Sequence, residues 1–158
     1  LSLHDALPIW KQQVPALVWN TRAAELSKFV IYESPLTVVC DHPDNILNQP
    51  GADFLKIVPT VWDDIKFLGG YPGDWVAIAK RSGDKWFIGV MNNSKAKTVE
   101  LDMSFLQAGT YKMEVWSDTK KSDKEPKDLK KSETALKSSD TLKVTMANNG
   151  GFVAIIER

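Results

Sequence analysis

Two apolar runs joined by a short polar turn occupy Trp75–Met91, which reads WVAIAKRSGDKWFIGVM. Both runs are rich in β-branched and aromatic residues, and Gly83-Asp84 between them has the composition of a tight turn. Strand formers on either side of a glycine-containing turn are typical of an antiparallel hairpin. The stretch therefore predicts two paired strands, and it decides the fold class of the region around it.

Further short, strand-like segments lie on both sides of this hairpin, and most end in clusters of Gly, Asn, Asp or Ser. They are Val61–Phe67, Thr98–Leu101, Tyr111–Trp116, Thr141–Met146 and Phe152–Ile156. Short strands at this spacing predict a mainly β protein, with an antiparallel β-sandwich over residues 60–158. The long polar stretch Ser117–Asp140 has seven Lys against six Asp and Glu, which predicts a solvated loop with strand edges. A partner-binding loop is the alternative interpretation of that stretch.

The pattern before residue 60 is different. Thr21–Ile31 combines an N-capping threonine with apolar residues at helical spacing, and Asp53–Val58 has the pattern of a short amphipathic helix. Between them, Leu36–Cys40 (LTVVC) is a continuous apolar run of the kind found in strands buried on both faces. A helix, a buried strand and a second helix form the repeating pattern of a (β/α) barrel. We therefore predict that residues 10–59 are the last unit of such a barrel.

Residues 1–9, LSLHDALPI, match one reading frame of a widely used sequencing-library adapter. The adapter continues with T, and Trp10 has a codon that begins with T. We therefore interpret residues 1–9 as a translated adapter and give His4 and Asp5 no function. The alternative is a native loop or helix start.

Composition excludes several classes of function. The 158-residue chain has 20 Lys and Arg against 20 Asp and Glu, so no basic excess exists to bind nucleic acid. Its single cysteine excludes an internal disulfide and a zinc site of several thiolates. No segment reaches the roughly 20 apolar residues that cross a bilayer, so no membrane partner is expected.

Several phrases follow one another in the order typical of a known enzyme family. They are FVIYESPLTVVCDHPDNI (Phe29–Ile46), VPTVWD (Val58–Asp63), GDKW (Gly83–Trp86), LDMSFL (Leu101–Leu106), GTYKMEVW (Gly109–Trp116) and NGGF (Asn149–Phe152). Through this set, the chain from about Thr21 to Arg158 resembles the C-terminal part of glycoside hydrolase family 97. Members of that family are calcium-dependent α-glucosidases and α-galactosidases.

The resemblance implies a larger parent enzyme with an N-terminal β-sandwich, a catalytic (β/α)8 barrel and a C-terminal β-sandwich for packing or oligomerisation. The family's catalytic carboxylates and calcium-binding glutamates precede this segment, so none of them is carried over, and the fragment itself is expected to be inactive. The partners implied are the rest of the barrel, a second copy of the chain, and an α-glucoside or α-galactoside substrate of the parent. The family also suggests a periplasmic or secreted location.

One residue remains as a substrate-facing candidate. Asp41 follows the predicted barrel strand, at the face where barrel enzymes place their active sites. Its alternative role is to cap the turn that contains His42. Glycoside hydrolysis needs two converging carboxyl groups, and adjacent Asp63 and Asp64 would point to opposite faces of a strand. Asp63 is expected to form hydrogen bonds at the domain junction. Glu33 is expected to orient a barrel group, to cap a helix end or to pair with a lysine.

Two functional hypotheses remain, and the segment Thr21–Pro59 distinguishes them. Trp62, Trp75, Trp86 and Trp116 lie on predicted strands, where they fill a core or a domain interface or, alternatively, form a platform on which sugars stack. A stand-alone carbohydrate-binding or protein-interaction sandwich is therefore the alternative to a hydrolase fragment, although such a module has no use for a barrel segment. We expect the sandwich to fold and the barrel segment to be poorly anchored, with its apolar helix face exposed.

Overall fold

A computed structural model describes residues 19–34, 36–39 and 43–158. Its helices are α1 (Arg22–Ile31), α2 (Pro43–Ile46) and α3 (Ala52–Leu55). Its strands are β1 (Asp64–Tyr71), β2 (Trp75–Ser82), β3 (Lys85–Asn92), β4 (Lys97–Asp102), β5 (Thr110–Asp118), β6 (Leu129–Lys137), β7 (Thr141–Met146) and β8 (Gly151–Glu157). The mainly β fold predicted from the sequence is confirmed.

The strands form two antiparallel sheets of unequal size. The larger sheet has six strands in the order β1-β2-β3-β8-β5-β6, and the smaller one pairs β4 with β7. The predicted hairpin is present, since Ser82 and Lys85 are the last paired residues before the Gly83-Asp84 turn. The inner face of the large sheet packs on the small sheet through a core that includes Ile88, Leu101 and Val144. This face holds the sandwich together through apolar burial.

Helix α1 covers the middle of the opposite, outer face of the large sheet. Thr21 caps its first turn by accepting a hydrogen bond from the backbone N–H of Ala24. The helix packs on β3 and β8. A Cβ atom at Gly151 would lie 2.4 Å from Cα of Ala24, and one at Gly89 would lie 2.9 Å from Cβ of Val30. These two glycines therefore allow the helix to approach the backbone of the sheet.

This packing overturns the expectation of a poorly anchored helix. Leu26 and Val30 are buried in a second cluster with Phe87 and Val153 of the sheet. The apolar face of α1 is satisfied by the sheet itself, because the outer face of β3 and β8 is also apolar. The helix thus belongs to the folded unit that the sandwich forms.

One further expectation, the buried strand, stays a prediction for the intact barrel, and another, on the polar stretch, is wrong. Residues 36–39, the described part of the predicted Leu36–Cys40 strand, have no regular secondary structure, and Leu36 is 79% exposed. A buried parallel strand needs partners for its backbone on both edges, and none of the described strands pairs with this segment. The polar stretch after Ser117 contains a full strand, β6, in place of strand edges alone.

Some sequence-based assignments fall outside the described residues. Residues 1–18, which contain the adapter-like segment with His4 and Asp5, are among them, and so are Cys40, Asp41 and His42. Within the part of the chain that the structure describes, no helix is long and apolar enough to span a bilayer.

Candidate functional site

The two flanks of helix α1 on the outer face of the sheet are built differently. The flank over β5 and β6 is covered by the chain's own residues. Phe54 of α3 meets Trp116 of β5 edge to face, with 5.3 Å between ring centroids, and both side chains are almost fully buried. We call this region the covered flank. Its aromatic contact accounts for the burial of Trp116, which the sequence placed in the core or at a domain interface.

A charged pair closes the rim of the covered flank. One Asp53 carboxylate oxygen accepts a hydrogen bond from Nε1 of Trp116 at 3.0 Å, and the other lies 2.6 Å from Nζ of Lys131. Burial tends to raise the pKa of Asp53, but the bonds from Lys131 and Trp116 outweigh it and lower the pKa below its ordinary value. Asp53 raises the pKa of Lys131 in return. The pair therefore favours the charged form of both groups.

On the other flank, a lysine is buried beneath the end of α1. Lys80 of β2 is fully buried, and its Nζ donates to the carbonyl oxygen of Tyr32 at 3.1 Å and lies 3.0 Å from the Glu33 carboxylate. The same Nζ lies 5.7 Å from the ring centre of Trp62. Glu33 thus pairs with a lysine, one of the three roles expected from the sequence. The pair borders a cavity of about 260 Å³ and fixes the chain where it leaves the helix.

Beyond Lys80, the remaining flank stays uncovered at the β1–β2 hairpin. Phe67 and Tyr71 are 69% and 73% exposed, and they border a cavity of about 520 Å³ together with Trp75, Val76 and Met91. We call these five residues the hairpin patch. Strand register places Phe67 and Val76 on the outer face of the sheet, whereas Tyr71 lies opposite Trp75, whose side chain packs on the core side, so the patch extends around the end of the hairpin. The patch is therefore an exposed apolar surface next to the strands on which α1 packs.

The rim of the hairpin patch is polar and internally satisfied. Asp74 forms an ion pair with Lys97, and Nδ2 of Asn93 donates to the carbonyl oxygen of Gly73 at 2.7 Å. Nδ2 of Asn92 donates to the carbonyl oxygens of Lys95 and Ala147. The patch therefore presents aromatic and aliphatic groups whose polar neighbours are already paired.

The other candidate residues from the sequence have different outcomes in the structure. Asp63 lies at the β2–β3 turn, where its carboxylate accepts a hydrogen bond from the backbone N–H of Gly83 at 2.7 Å and lies 3.6 Å from Arg81. The expectation that it serves the domain junction is wrong, because the turn supplies its partners. Asp41 lies outside the described residues, so its role stays a prediction. Among the described residues, no group of three or more His, Cys, Asp or Glu side chains is placed to hold a metal ion.

The four tryptophans assigned to predicted strands act as packing residues. Trp62 meets Phe87 edge to face at 5.4 Å, and Trp86 meets Phe105 in the same way at 4.9 Å. Trp75 packs against the sandwich core. The sequence analysis missed the hairpin patch and the buried Lys80. The alternation of Ile65 and Phe67 signals one apolar face of a strand, but the sequence does not say which strand forms the edge of the sheet.

Comparison with known proteins identifies the family. The model of the domain described as "Glycosyl-hydrolase 97 C-terminal, oligomerisation" matches residues 61–157, which is more than half of the chain. The chain belongs to this glycoside hydrolase family. A retaining alpha-galactosidase of Bacteroides thetaiotaomicron is 33% identical over 139 residues, which cover 87% of this chain and 21% of the relative.

Solved structures show the same relationship. A glycoside hydrolase family 97 enzyme from Pseudoalteromonas sp. strain K8, solved with acarbose, superposes with a TM-score of 0.83 at 29% identity, over 88% of this chain and 23% of that enzyme. A beta-arabinopyranosidase superposes with a TM-score of 0.73 at 27% identity, over 86% and 21% of the two chains. The chain thus spans about a fifth of the length of these relatives. It matches the C-terminal domain of the family, as the sequence resemblance implied.

Proposed function

We propose that this chain is the structural C-terminal domain of a longer family 97 enzyme that hydrolyses α-galactosides, and that the catalytic carboxylates and calcium ligands lie upstream. The observation that carries the proposal is the match of residues 61–157 to the C-terminal, oligomerisation domain. The α-galactosidase relative supports α-galactosides over α-glucosides as the substrate class. In this account the domain contributes packing and self-association, and the upstream barrel contributes the chemistry.

The first role is to hold the upstream barrel. Leu36 and Val38 are 79% and 67% exposed. Tyr32 and Val61, which border the cavity beside the Lys80–Glu33 pair, are exposed as well. Exposed apolar side chains at this density favour burial against another surface. The Lys80–Glu33 pair fixes this segment relative to the sandwich. We therefore assign these four residues to the contact with the barrel that precedes them.

The second role is self-association of the whole enzyme through its C-terminal domain. The description of the family domain supports oligomerisation but names no partner. A second copy of the same chain is the simplest partner, because most soluble oligomers are homo-oligomers with closed symmetry. We place this contact within the sandwich, the part that matches the family domain.

Asp41 is proposed as the one residue of this chain that faces the substrate. In an intact barrel, a residue after the last strand lies at the carboxyl end of the strands, where the active site is built. A carboxylate there can accept a hydrogen bond from a sugar hydroxyl. Hydrogen bonds to charged groups contribute about 1.5–3 kcal/mol, so loss of this one lowers kcat/KM by roughly 10- to 100-fold.

A chimera tests the proposal. The matched C-terminal part of the Bacteroides thetaiotaomicron alpha-galactosidase is replaced by the corresponding part of this chain, and turnover of an aryl α-galactoside is measured. We expect the chimera to be active and the 158-residue chain alone to be inactive. Turnover by the chain alone, or a folded chimera without activity, would contradict the proposal.

The same chimera tests the role of Asp41. Asp41→Ala is expected to lower kcat/KM by the factor given above, because it removes a carboxylate that faces the substrate. Asp84→Ala, at the exposed β2–β3 turn, serves as the control and is expected to leave kcat/KM unchanged. Equal kcat/KM values for the two variants would assign Asp41 to capping the turn.

A further inference from the structure

The exposed apolar residues of the structure fall into two groups, and the boundary of the family domain separates most of them. Tyr32, Leu36 and Val38 precede residue 61, whereas the whole hairpin patch lies inside residues 61–157. A surface that belongs to the oligomerisation unit has a different expected partner from one that belongs to the segment before it. The hairpin patch is therefore expected to bind a partner other than the barrel.

The charges around the hairpin patch are compatible with an identical surface. Asp74 and Lys97 at its rim neutralise each other. On the neighbouring strand, Lys66 lies 3.2 Å from the Asp64 carboxylate. An interface with two-fold symmetry brings each group near its own copy, so an unpaired charge would repel itself across the axis. Here the rim carries one charge of each sign, and the centre of the patch is aromatic and aliphatic.

The position of the patch in the sheet also permits a second copy to approach. Strand β1 is one edge of the six-stranded sheet, so no strand of the described chain lies beyond Phe67 and Tyr71. Large aromatic side chains at the centre of a patch, inside a polar rim, are the usual composition of a protein–protein interface. The opposite edge, β6, carries Lys130, Lys131 and Lys137, which is how natural proteins prevent edge-to-edge association.

A sugar fits the hairpin patch less well. Carbohydrate recognition needs polar groups that are free to bond hydroxyls, and the Asp74, Asn92 and Asn93 side chains already have partners. Trp75, the largest aromatic side chain of the patch, packs against the core and against Gly69 of the neighbouring strand, so its ring is not free to stack on a sugar. The chemistry of the patch therefore favours a protein surface.

We propose that the hairpin patch is the surface through which two copies of this chain associate about a two-fold axis, with Phe67 and Tyr71 of each copy at its centre. The inference rests on the self-association in the proposed function and names the surface that performs it. Because the axis duplicates every contact, each substitution in the patch removes two contacts from the dimer.

Sedimentation velocity of the 158-residue chain over a series of concentrations tests the proposal. The wild type is expected to form a dimer as concentration rises. Phe67→Ser with Tyr71→Ser is expected to weaken dimerisation by at least about tenfold, the effect of removing central aromatic contacts. Both residues are exposed, so circular dichroism should show an unchanged fold.

The matched control is Leu36→Ser with Val38→Ser, which removes exposed apolar side chains outside the patch and is expected to leave the dimer unchanged. If the Phe67→Ser, Tyr71→Ser variant dimerises as the wild type does, the hairpin patch is not the interface, and self-association through another surface still stands. A wild type that stays monomeric at every concentration would overturn self-association itself. Perturbation of the patch resonances by methyl α-galactoside in a monomeric chain would assign the surface to a sugar instead.

Discussion

The covered flank and the hairpin patch lie on opposite sides of helix α1 along the same six-stranded sheet. On the covered flank, Phe54 lies on Trp116, and the Asp53–Lys131 pair closes the rim. At the hairpin patch, Phe67 is of the same residue type as Phe54 but is 69% exposed. The chain therefore covers one flank with its own residues, whereas the other flank stays exposed and available to a partner.

This contrast has an energetic basis. A buried aromatic side chain stabilises the fold by removing apolar area from water, at roughly 25 cal/mol per Å². An exposed one adds no such term to the monomer, but it can add it to an interface. The covered flank is therefore expected to determine the free energy of unfolding of the chain, and the hairpin patch its free energy of association.

The largest expected effect is on the covered flank. Phe54→Ala is expected to lower the free energy of unfolding by about 3–5 kcal/mol, because it deletes a fully buried ring and leaves a cavity beside Trp116. Phe67→Ala, at a protein concentration where the chain is monomeric, is expected to change it by less than about 0.5 kcal/mol. Urea unfolding of both variants provides the measurement. Similar losses in the two variants would remove the distinction between the flanks.

A smaller effect depends on pH. Asp53 has a pKa below its ordinary value of 3.8 in the folded protein, so its charged form stabilises the fold above that pH, and the contribution is lost as pH falls through the folded pKa. Asp53→Asn keeps an acceptor for Trp116 but removes the pair with Lys131. Since the side chain of Asp53 is about half exposed, the loss at pH 7 is expected to be about 1 kcal/mol or less.

Urea unfolding at pH 7 and at pH 3 tests this prediction. The difference between the wild type and Asp53→Asn is expected to shrink at pH 3, because the carboxyl of the unfolded chain, with its ordinary pKa of 3.8, is then mostly protonated. Asp84→Asn, at the exposed β2–β3 turn, is the control and should lie within about 0.5 kcal/mol of the wild type at both values of pH. A difference for Asp53→Asn that is the same at pH 3 and pH 7 would contradict the assigned role of the charge.

The sequence predicted the parts of the fold that local patterns determine. Thr21 as an N-cap and the Gly83-Asp84 turn are local signals, and both are confirmed. Strand β6 was missed because Leu129–Lys137 is highly charged, and its strand state depends on pairing with β5. The apolar run at residues 36–39 was assigned to a buried strand, but whether such a run is buried depends on neighbouring strands.

The site was less predictable than the fold. The pairing of Lys80 with Glu33 joins residues that are 47 positions apart in the chain, and no pattern in either segment indicates it. The exposure of Phe67 follows from the place of β1 at the edge of the sheet, which is a property of topology. The family resemblance predicted the role of the domain because that role follows from its position in a longer enzyme, whereas the surfaces that perform it are set by tertiary structure.

Hydrogen–deuterium exchange of the 158-residue chain at low and high protein concentration tests the division between the flanks most directly. Peptides that cover β1, Asp64–Tyr71, are expected to become more protected as concentration rises, because the hairpin patch is buried between two copies. Peptides that cover β6, Leu129–Lys137, are expected to exchange at the same rate under both conditions. Protection that rises at β6 and stays constant at β1 would contradict the account.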